Sequence, residues 1–180
     1  LYKDVMRMGN ALKSLGVQKG DRVCIYLPGI PELVVSMLAC ARIGAVHTVV
    51  FAGYGAKALN ERITGAGAKI VITADASVRR GGSIPLKPIV EEALINAPTV
   101  ERVIILRTQE PKVGLLDEFE LDYEELIAQA DRYCDPVHVN SEDPLFILYT
   151  SGTTGAPKGI VHAAGGYMVG AYYTTKYVLT

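Results

Sequence analysis

The feature that most constrains the fold of this chain is the alternation of helical segments with short, buried strands. Residues 45–51 form a continuous apolar run, which is typical of a strand that is covered on both faces. Residues 68–73 have the character of a second buried strand, and a helical segment separates the two. This alternation predicts an α/β layered fold, in which helices flank a mostly parallel, buried sheet.

The helical segments carry recognisable start and stop signals. Val5, Met8 and Leu12 recur at helical spacing, and Gly16 ends that helix. Asp122 is a candidate N-cap, and residues 109–120 are polar and predicted to form a surface loop. The other predicted elements are helices at 32–43, 56–64, 87–96, 122–130 and from 166, and strands at 22–27, 102–106, 145–149 and 160–162.

Length and composition indicate one globular domain with a substantial core. The chain has 180 residues, of which 49% are hydrophobic, and its formal charge is −1. That charge excludes the strongly basic surface of a nucleic-acid-binding protein. The three cysteines form no Cys-x-x-Cys pair, so buried thiols in a reducing compartment are expected instead of disulfides or a zinc site. We therefore expect a cytoplasmic protein.

Residues 33–52 are the stretch closest to a membrane span. Arg42 lies in the middle of it, where a charge costs roughly 2.5–3.5 kcal/mol on an insertion scale, and Gly44 interrupts it. We interpret this stretch as a helix followed by a buried strand. No signal peptide is visible, and no membrane association is expected.

Residues 149–159, Tyr-Thr-Ser-Gly-Thr-Thr-Gly-Ala-Pro-Lys-Gly, carry the chemistry. The segment follows a buried strand and holds three glycines, four Ser or Thr hydroxyls and one lysine, a composition suited to holding phosphate through N–H groups, hydroxyls and a charge. It is not a P-loop, because Pro157 and Gly159 stand where that motif needs glycine and a hydroxyl. The candidate phosphate-binding residues are Thr150, Ser151, Gly152, Thr153, Thr154, Gly155 and Lys158. The alternative is an ordinary surface turn.

This loop resembles the signature loop of the adenylate-forming, or AMP-binding, enzymes. Four more segments resemble the acetyl-CoA synthetase branch of that superfamily, and together they cover nearly the whole chain. They are residues 45–51 (Ala-Val-His-Thr-Val-Val-Phe), 83–87 (Ser-Ile-Pro-Leu-Lys), 143–149 (Asp-Pro-Leu-Phe-Ile-Leu-Tyr) and 159–167 (Gly-Ile-Val-His-Ala-Ala-Gly-Gly-Tyr).

The resemblance implies an acetate–CoA ligase that works through an acetyl-adenylate, with acetate, ATP and coenzyme A as substrates and Mg²⁺ accompanying ATP. It implies that residues 1–180 are one partial domain, an internal piece of the large N-terminal domain, and that the C-terminal domain is absent. The adenine pocket, acyl pocket and catalytic lysine of the family fall outside this chain, so we expect the piece alone to be inactive. A propionyl- or other short-chain acyl-CoA synthetase is the near alternative.

Arg79 and Arg80 are the candidate coenzyme A ligands. In the resembled branch this segment supplies two arginines, in the pattern Val-Arg-x-Gly-Arg-Ser. Arg79 matches the first arginine, but the second falls on Gly82, and Arg80 takes a position that is usually small. Adjacent arginines among glycines suit a phosphate contact, while a solvated charge pair is the alternative.

Two readings from other classes remain open at this stage. Gly53 and Gly55 fit Gly-x-Gly-x-x-Ala between a strand and a helix, and Asp75 follows at the end of the next strand, as in a dinucleotide-binding unit. The other reading is a scaffold domain in which the loop is a relic. His47 is predicted to be a core histidine, and packing is favoured over a site role for His162. No histidine spacing suggests a metal site.

Overall fold

A computed structural model of the chain describes residues 1–79, 81–116, 118–151 and 157–179. The helices in these ranges are α1 (Tyr2–Ser14), α2 (Pro31–Ile43), α3 (Ala56–Ala66), α4 (Lys87–Leu94), α5 (Tyr123–Gln129) and α6 (Ala164–Val178). The strands are β1 (Arg22–Tyr26), β2 (Val46–Val49), β3 (Ile70–Ala74), β4 (Ala76–Arg79), β5 (Gly82–Pro85), β6 (Arg102–Leu106), β7 (Glu120–Asp122), β8 (Pro144–Thr150) and β9 (Lys158–Ala163).

A seven-stranded sheet in the order β7-β6-β3-β1-β2-β8-β9 forms the centre of the described fold. Neighbouring strands are parallel from β7 to β8, and only the β8–β9 pair is antiparallel. Strand β3 is buried at every residue, so helices cover both faces of the sheet there. Helix α1 packs against α2 and α5, while α3 packs against α4. The predicted α/β fold with a mostly parallel sheet is confirmed.

The local signals place several helix ends where the sequence predicts them. Pro31 occupies the first turn of α2, and Gly44 ends that helix with a left-handed φ of 71°. The Asp122 side chain accepts a hydrogen bond from the Glu125 N–H, which confirms it as the N-cap of α5. Residues 33–52 divide between α2 and β2, as predicted, and no helix in the described ranges is long and apolar enough to cross a membrane.

Three strands, β4, β5 and β7, are absent from the elements that the sequence predicts. Residues 109–120 were predicted to be a loop, yet Glu120 begins β7, which pairs in parallel with β6. Strands β4 and β5 form an antiparallel hairpin directly after β3. Strand β7 depends on its pairing with β6, and β4 and β5 pair with each other around a glycine-containing turn. None of the three has the apolar run that marks a buried strand in a sequence.

Candidate functional site

The carboxyl ends of β2, β3 and β8 meet at one edge of the sheet, because these strands run parallel. Strand β2 leads into residues 50–55, β3 leads into the β4–β5 hairpin, and β8 leads into the predicted phosphate loop. Open α/β sheets bind ligands at this edge. The topology therefore brings the described candidates Thr150, Ser151, Lys158 and Arg79 to the same edge of the sheet.

The predicted phosphate loop connects β8 to β9 in the sequence. Thr150 is the last residue of β8 and is paired in register with Lys158, the first residue of β9. Thr150, Ser151 and Lys158 are all exposed, so their hydroxyl and ammonium groups are open to a ligand. The other candidates, Gly152, Thr153, Thr154 and Gly155, lie outside the described residues.

Tyr149 anchors the strand immediately before this loop. It pairs in register with Gly159, and a Cβ on Gly159 would come within 3.2 Å of the Tyr149 ring. On the other side, a Cβ on Gly65 of α3 would come within 2.8 Å of the Tyr149 hydroxyl. Two glycines thus leave the space that the ring fills between α3 and β9. The residue that precedes the loop, Tyr149, is therefore held in place by close packing of its side chain.

Arg62 of α3 lies next to two aromatic rings at this edge. Its guanidinium carbon is 4.5 Å from the ring centroid of Tyr54 and 5.6 Å from that of Tyr149. The Tyr54 carbonyl accepts a hydrogen bond of 2.6 Å from the hydroxyl of Tyr26, whose side chain is fully buried in the core. These contacts connect the core, the segment after β2 and the start of the phosphate loop.

The β4–β5 hairpin presents Arg79 beside the same segment. The Arg79 guanidinium carbon lies 5.6 Å from the ring centroid of Phe51, and that ring is 60% exposed. Phe51 in turn makes an edge-to-face contact with Tyr54. Arg79 itself is exposed, as a phosphate ligand requires. Arg80, the second predicted coenzyme A residue, lies outside the described residues.

The sheet order argues against the dinucleotide-binding alternative. Such a unit needs its glycine loop and its acidic residue at the ends of neighbouring strands, but β1 lies between β2 and β3. Both oxygens of Asp75 already accept hydrogen bonds from Thr108 and Gln109. A Cβ on Gly53 would come within 2.3 Å of the Phe51 ring, so packing accounts for that glycine.

His47 and His162 both pack against other side chains. His47 is 5% exposed, and burial lowers its pKa to about 4, so the ring is neutral at pH 7. His162 stacks on Phe146 with a centroid separation of 4.5 Å. In the described part of the chain, no group of three His, Cys, Asp or Glu side chains is placed to hold a metal ion.

The cysteines are free and buried. Burial raises the pKa of Cys24 and of Cys40 to about 12, so both thiols stay protonated at neutral pH. They act as small core side chains and supply no nucleophile.

The sequence reading missed Phe51, Tyr54 and Arg62 as residues of this edge. The available signal was Phe51 at the end of the predicted strand and Tyr54 three residues later, because aromatic side chains at the carboxyl end of a parallel strand are candidates for ligand contact. Arg62 carried no such signal, because an arginine on a predicted helix is normally a solvated surface residue.

Comparison with known proteins identifies what this arrangement resembles. The model of the family described as AMP-binding enzyme matches residues 1–179. The chain is 52% identical over 179 residues to the acetyl-coenzyme A synthetase of Methanothrix thermoacetophila, a match that spans 99% of the chain and 27% of the relative. It is 51% identical over 178 residues to that of Halorhodospira halophila, with 99% of the chain and 28% of the relative covered.

A solved structure agrees with these relatives. The acetoacetyl-CoA synthetase from Streptomyces lividans superposes with a TM-score of 0.86 and 33% sequence identity, over 96% of this chain and 26% of that protein. The chain therefore shares the fold of the matched part of that synthetase and spans about a quarter of the length of the proteins that it matches.

Proposed function

The chain belongs to the AMP-binding enzyme family, and on that premise we propose that it is part of an AMP-forming acetyl-CoA synthetase. In the proposed reaction, an acetate oxygen attacks the α-phosphorus of ATP, and the bond to the β-phosphate oxygen breaks to release pyrophosphate. The thiol of coenzyme A then attacks the acetyl carbonyl of the adenylate, loses its proton and displaces AMP. The substrate carboxylate is the nucleophile of the first step, so no side-chain nucleophile is required.

The observation that carries this proposal is the likeness to acetyl-coenzyme A synthetases, at 51–52% identity over 99% of the chain. The position of the phosphate loop supports it. A Gly/Ser/Thr/Lys loop that follows the carboxyl end of a buried parallel strand is suited to stabilise the charge that builds on departing pyrophosphate. Thr150, Ser151, Gly152, Thr153, Thr154, Gly155 and Lys158 are the proposed ligands of the β- and γ-phosphates.

Coenzyme A is the proposed ligand of Arg79 and Arg80. A guanidinium binds phosphate through charge-assisted hydrogen bonds, and the exposed Arg79 on the β4–β5 hairpin is free to make them. Mg²⁺ is proposed to enter with ATP and to be held mainly by the phosphates, as is usual for this ion.

We also propose that these residues form part of a large N-terminal domain and are inactive alone. The relatives are nearly four times as long as the matched region, which spans 27% of the Methanothrix protein. The adenine pocket, the acyl pocket and the C-terminal domain are proposed to lie in the rest of the protein. A cytoplasmic location is proposed because Cys24, Cys40 and Cys134 are all free thiols.

A second candidate is the same chemistry on another short-chain acid. It is favoured by the likeness to a protein named acetoacetyl-CoA synthetase, at 33% identity. That likeness is weaker than the one to acetyl-coenzyme A synthetases, so acetate remains the proposed acid.

The test is acid-dependent ATP–pyrophosphate exchange by the full-length protein, with acetate, propionate, butyrate and acetoacetate offered in turn. The proposal expects the highest kcat/KM with acetate. A higher kcat/KM with another acid would move the assignment to that acid. Absence of exchange with all four, from a folded protein, would contradict the short-chain acyl ligase proposal.

A further inference from the structure

We propose that Arg62 is a positioning residue that fixes Tyr149 and, through it, the two ends of the ATP-phosphate loop at Thr150 and Lys158 against the core of the sheet. The proposal rests on the proposed function in one respect, namely that residues 150–158 bind the phosphates of ATP. Arg62 is expected to touch no substrate. It is expected to act through Tyr149, the residue that immediately precedes Thr150.

Tyr54, one of the two rings beside Arg62, is fixed to the core of the sheet. The Tyr26 side chain is fully buried at the end of β1, and its hydroxyl donates a 2.6 Å hydrogen bond to the Tyr54 carbonyl. The Tyr26 carbonyl in turn accepts a 3.0 Å hydrogen bond from the buried Thr73 hydroxyl of β3. Tyr54 is therefore tied to the two central strands, although its own ring is 43% exposed.

Arg62 contacts the rings of both Tyr54 and Tyr149. Its guanidinium carbon lies 4.5 Å from the Tyr54 centroid and 5.6 Å from the Tyr149 centroid, within the range of a cation–π interaction. The Arg62 backbone carbonyl also accepts a 3.4 Å hydrogen bond from the Tyr149 hydroxyl. Both the side chain and the backbone of Arg62 thus contact the residue that leads into the loop.

Arg62 also makes a contact within its own helix. Its Nη1 donates a 2.6 Å hydrogen bond to the Ala58 carbonyl on the same helix. Within the described ranges, no carboxylate lies close enough to Arg62 to form an ion pair with it. Among the described residues, the rings of Tyr54 and Tyr149 are therefore the groups against which this partly buried cation lies.

Tyr149 lies next to both ends of the loop. Thr150 directly follows Tyr149 at one end, and Lys158 at the other end directly precedes Gly159, against which the Tyr149 ring packs. A shift of Tyr149 would move both ends of the loop relative to the sheet. Small displacements of positioned groups cost large factors in rate, so loss of Arg62 should weaken the grip on ATP.

The variants are made in the full-length protein. Arg62→Met removes the cation and keeps an unbranched side chain, and Arg62→Lys keeps the charge without the planar guanidinium. Lys57→Met is the matched control, since it removes an exposed cation from the same helix. Two readouts are used: the Kd of Mg·ATP by titration calorimetry, which needs no acid substrate, and the KM for ATP against kcat in pyrophosphate exchange. Circular dichroism checks that each variant is folded.

The expected result is a Kd and a KM for ATP that rise about tenfold in Arg62→Met, by less in Arg62→Lys and not in Lys57→Met, in line with the loss of cation–π contacts. A purely structural role would lower the amount of active enzyme and leave both constants unchanged. Unchanged constants in folded Arg62→Met would overturn the proposal. If Arg62→Met does not fold, the same comparison is made with Arg62→Lys.

A double-mutant cycle tests whether Arg62 acts through Tyr149. Tyr149→Leu should weaken ATP binding by a factor similar to that of Arg62→Met, and the double variant should bind ATP about as weakly as the weaker single variant. A Kd for ATP in the double variant that rises by the product of the two single-variant factors would contradict action of Arg62 through Tyr149. If the wild-type protein binds ATP but exchanges with no acid, the proposed reaction fails while the Kd comparison still decides the role of Arg62. If it binds no ATP, both proposals fail.

Discussion

The carboxylate of Asp75 is held by Thr108, a residue that lies beyond the end of a neighbouring strand. The Thr108 N–H lies 2.9 Å and 3.0 Å from the two carboxylate oxygens of Asp75, and the Thr108 hydroxyl donates to Oδ1 at 2.7 Å. The Gln109 N–H donates to Oδ2 at 3.0 Å. The residue that would hold a ribose in a dinucleotide-binding protein instead fixes the segment after β6.

Replacement of Asp75 by alanine should therefore destabilise the protein. A hydrogen bond to a charged group contributes about 1.5–3 kcal/mol, and the substitution removes the acceptor of the partly buried bonds from the Thr108 and Gln109 N–H groups. We expect a loss of about 2–4 kcal/mol in the free energy of unfolding, measured in urea. Asp131→Ala, at an exposed aspartate, is the control and should change stability by less than about 0.5 kcal/mol. An unchanged free energy of unfolding in Asp75→Ala would contradict the structural role of Asp75.

His47 should make stability depend on pH. Burial lowers the pKa of His47 to about 4, below its ordinary value of 6.5, so the unfolded chain binds more protons than the folded one between these values. The contribution of the neutral ring is complete above pH 6.5 and is lost as the pH falls towards 4. Urea unfolding at pH 7, 6, 5 and 4 should show wild-type stability falling more steeply than that of His47→Gln. Parallel curves for the two proteins would exclude His47 as the source.

Lys158 should be essential to the adenylating step of the proposed reaction. It is exposed at the far end of the phosphate loop and pairs in register with Thr150. Loss of a single donor to developing charge costs on the order of 10²–10³ in rate. We expect Lys158→Ala in the full-length protein to lower the kcat/KM for ATP in pyrophosphate exchange by about 100-fold or more. Lys112→Ala, which removes an exposed lysine elsewhere, should leave exchange unchanged.

The sequence predicts those parts of the fold whose signals are local. Pro31 and Gly44 mark the two ends of α2, and Asp122 marks the start of α5, because each acts through its own backbone or its immediate neighbours. Strand β7 was not predictable in this way. Glu120 is 5% exposed, and its side chain meets the Lys87 ammonium at 3.0 Å, an interaction between segments that are distant in sequence.

The candidate site likewise has parts that local sequence signals predict and parts that depend on contacts between distant segments. The residue types and spacing of the phosphate loop indicate its chemistry without a structure, and the position of the loop after β8 was predicted. The contact of Arg62 with Tyr54 and Tyr149 was not, since it depends on where α3 crosses the sheet edge. An arginine on a helix is solvated in most proteins, and only the tertiary fold places the rings of Tyr54 and Tyr149 beside Arg62.

Arg79 should affect the second step of the proposed reaction and not the first. Arg79 lies on the exposed β4–β5 hairpin, where its guanidinium is beside the Phe51 ring, whereas the phosphate loop follows a different strand, β8. Loss of one charge-assisted phosphate contact is worth about 1.5–3 kcal/mol, which corresponds to roughly a tenfold to hundredfold rise in the KM for coenzyme A. We expect this rise in Arg79→Ala, measured by acetyl-CoA formation, together with unchanged ATP–pyrophosphate exchange. Arg102→Ala is the matched control, because Arg102 lies at the amino end of β6, the opposite edge of the sheet. An unchanged KM for coenzyme A in Arg79→Ala would remove this residue from the coenzyme A site, and a parallel loss of exchange would place its effect in the adenylating step instead.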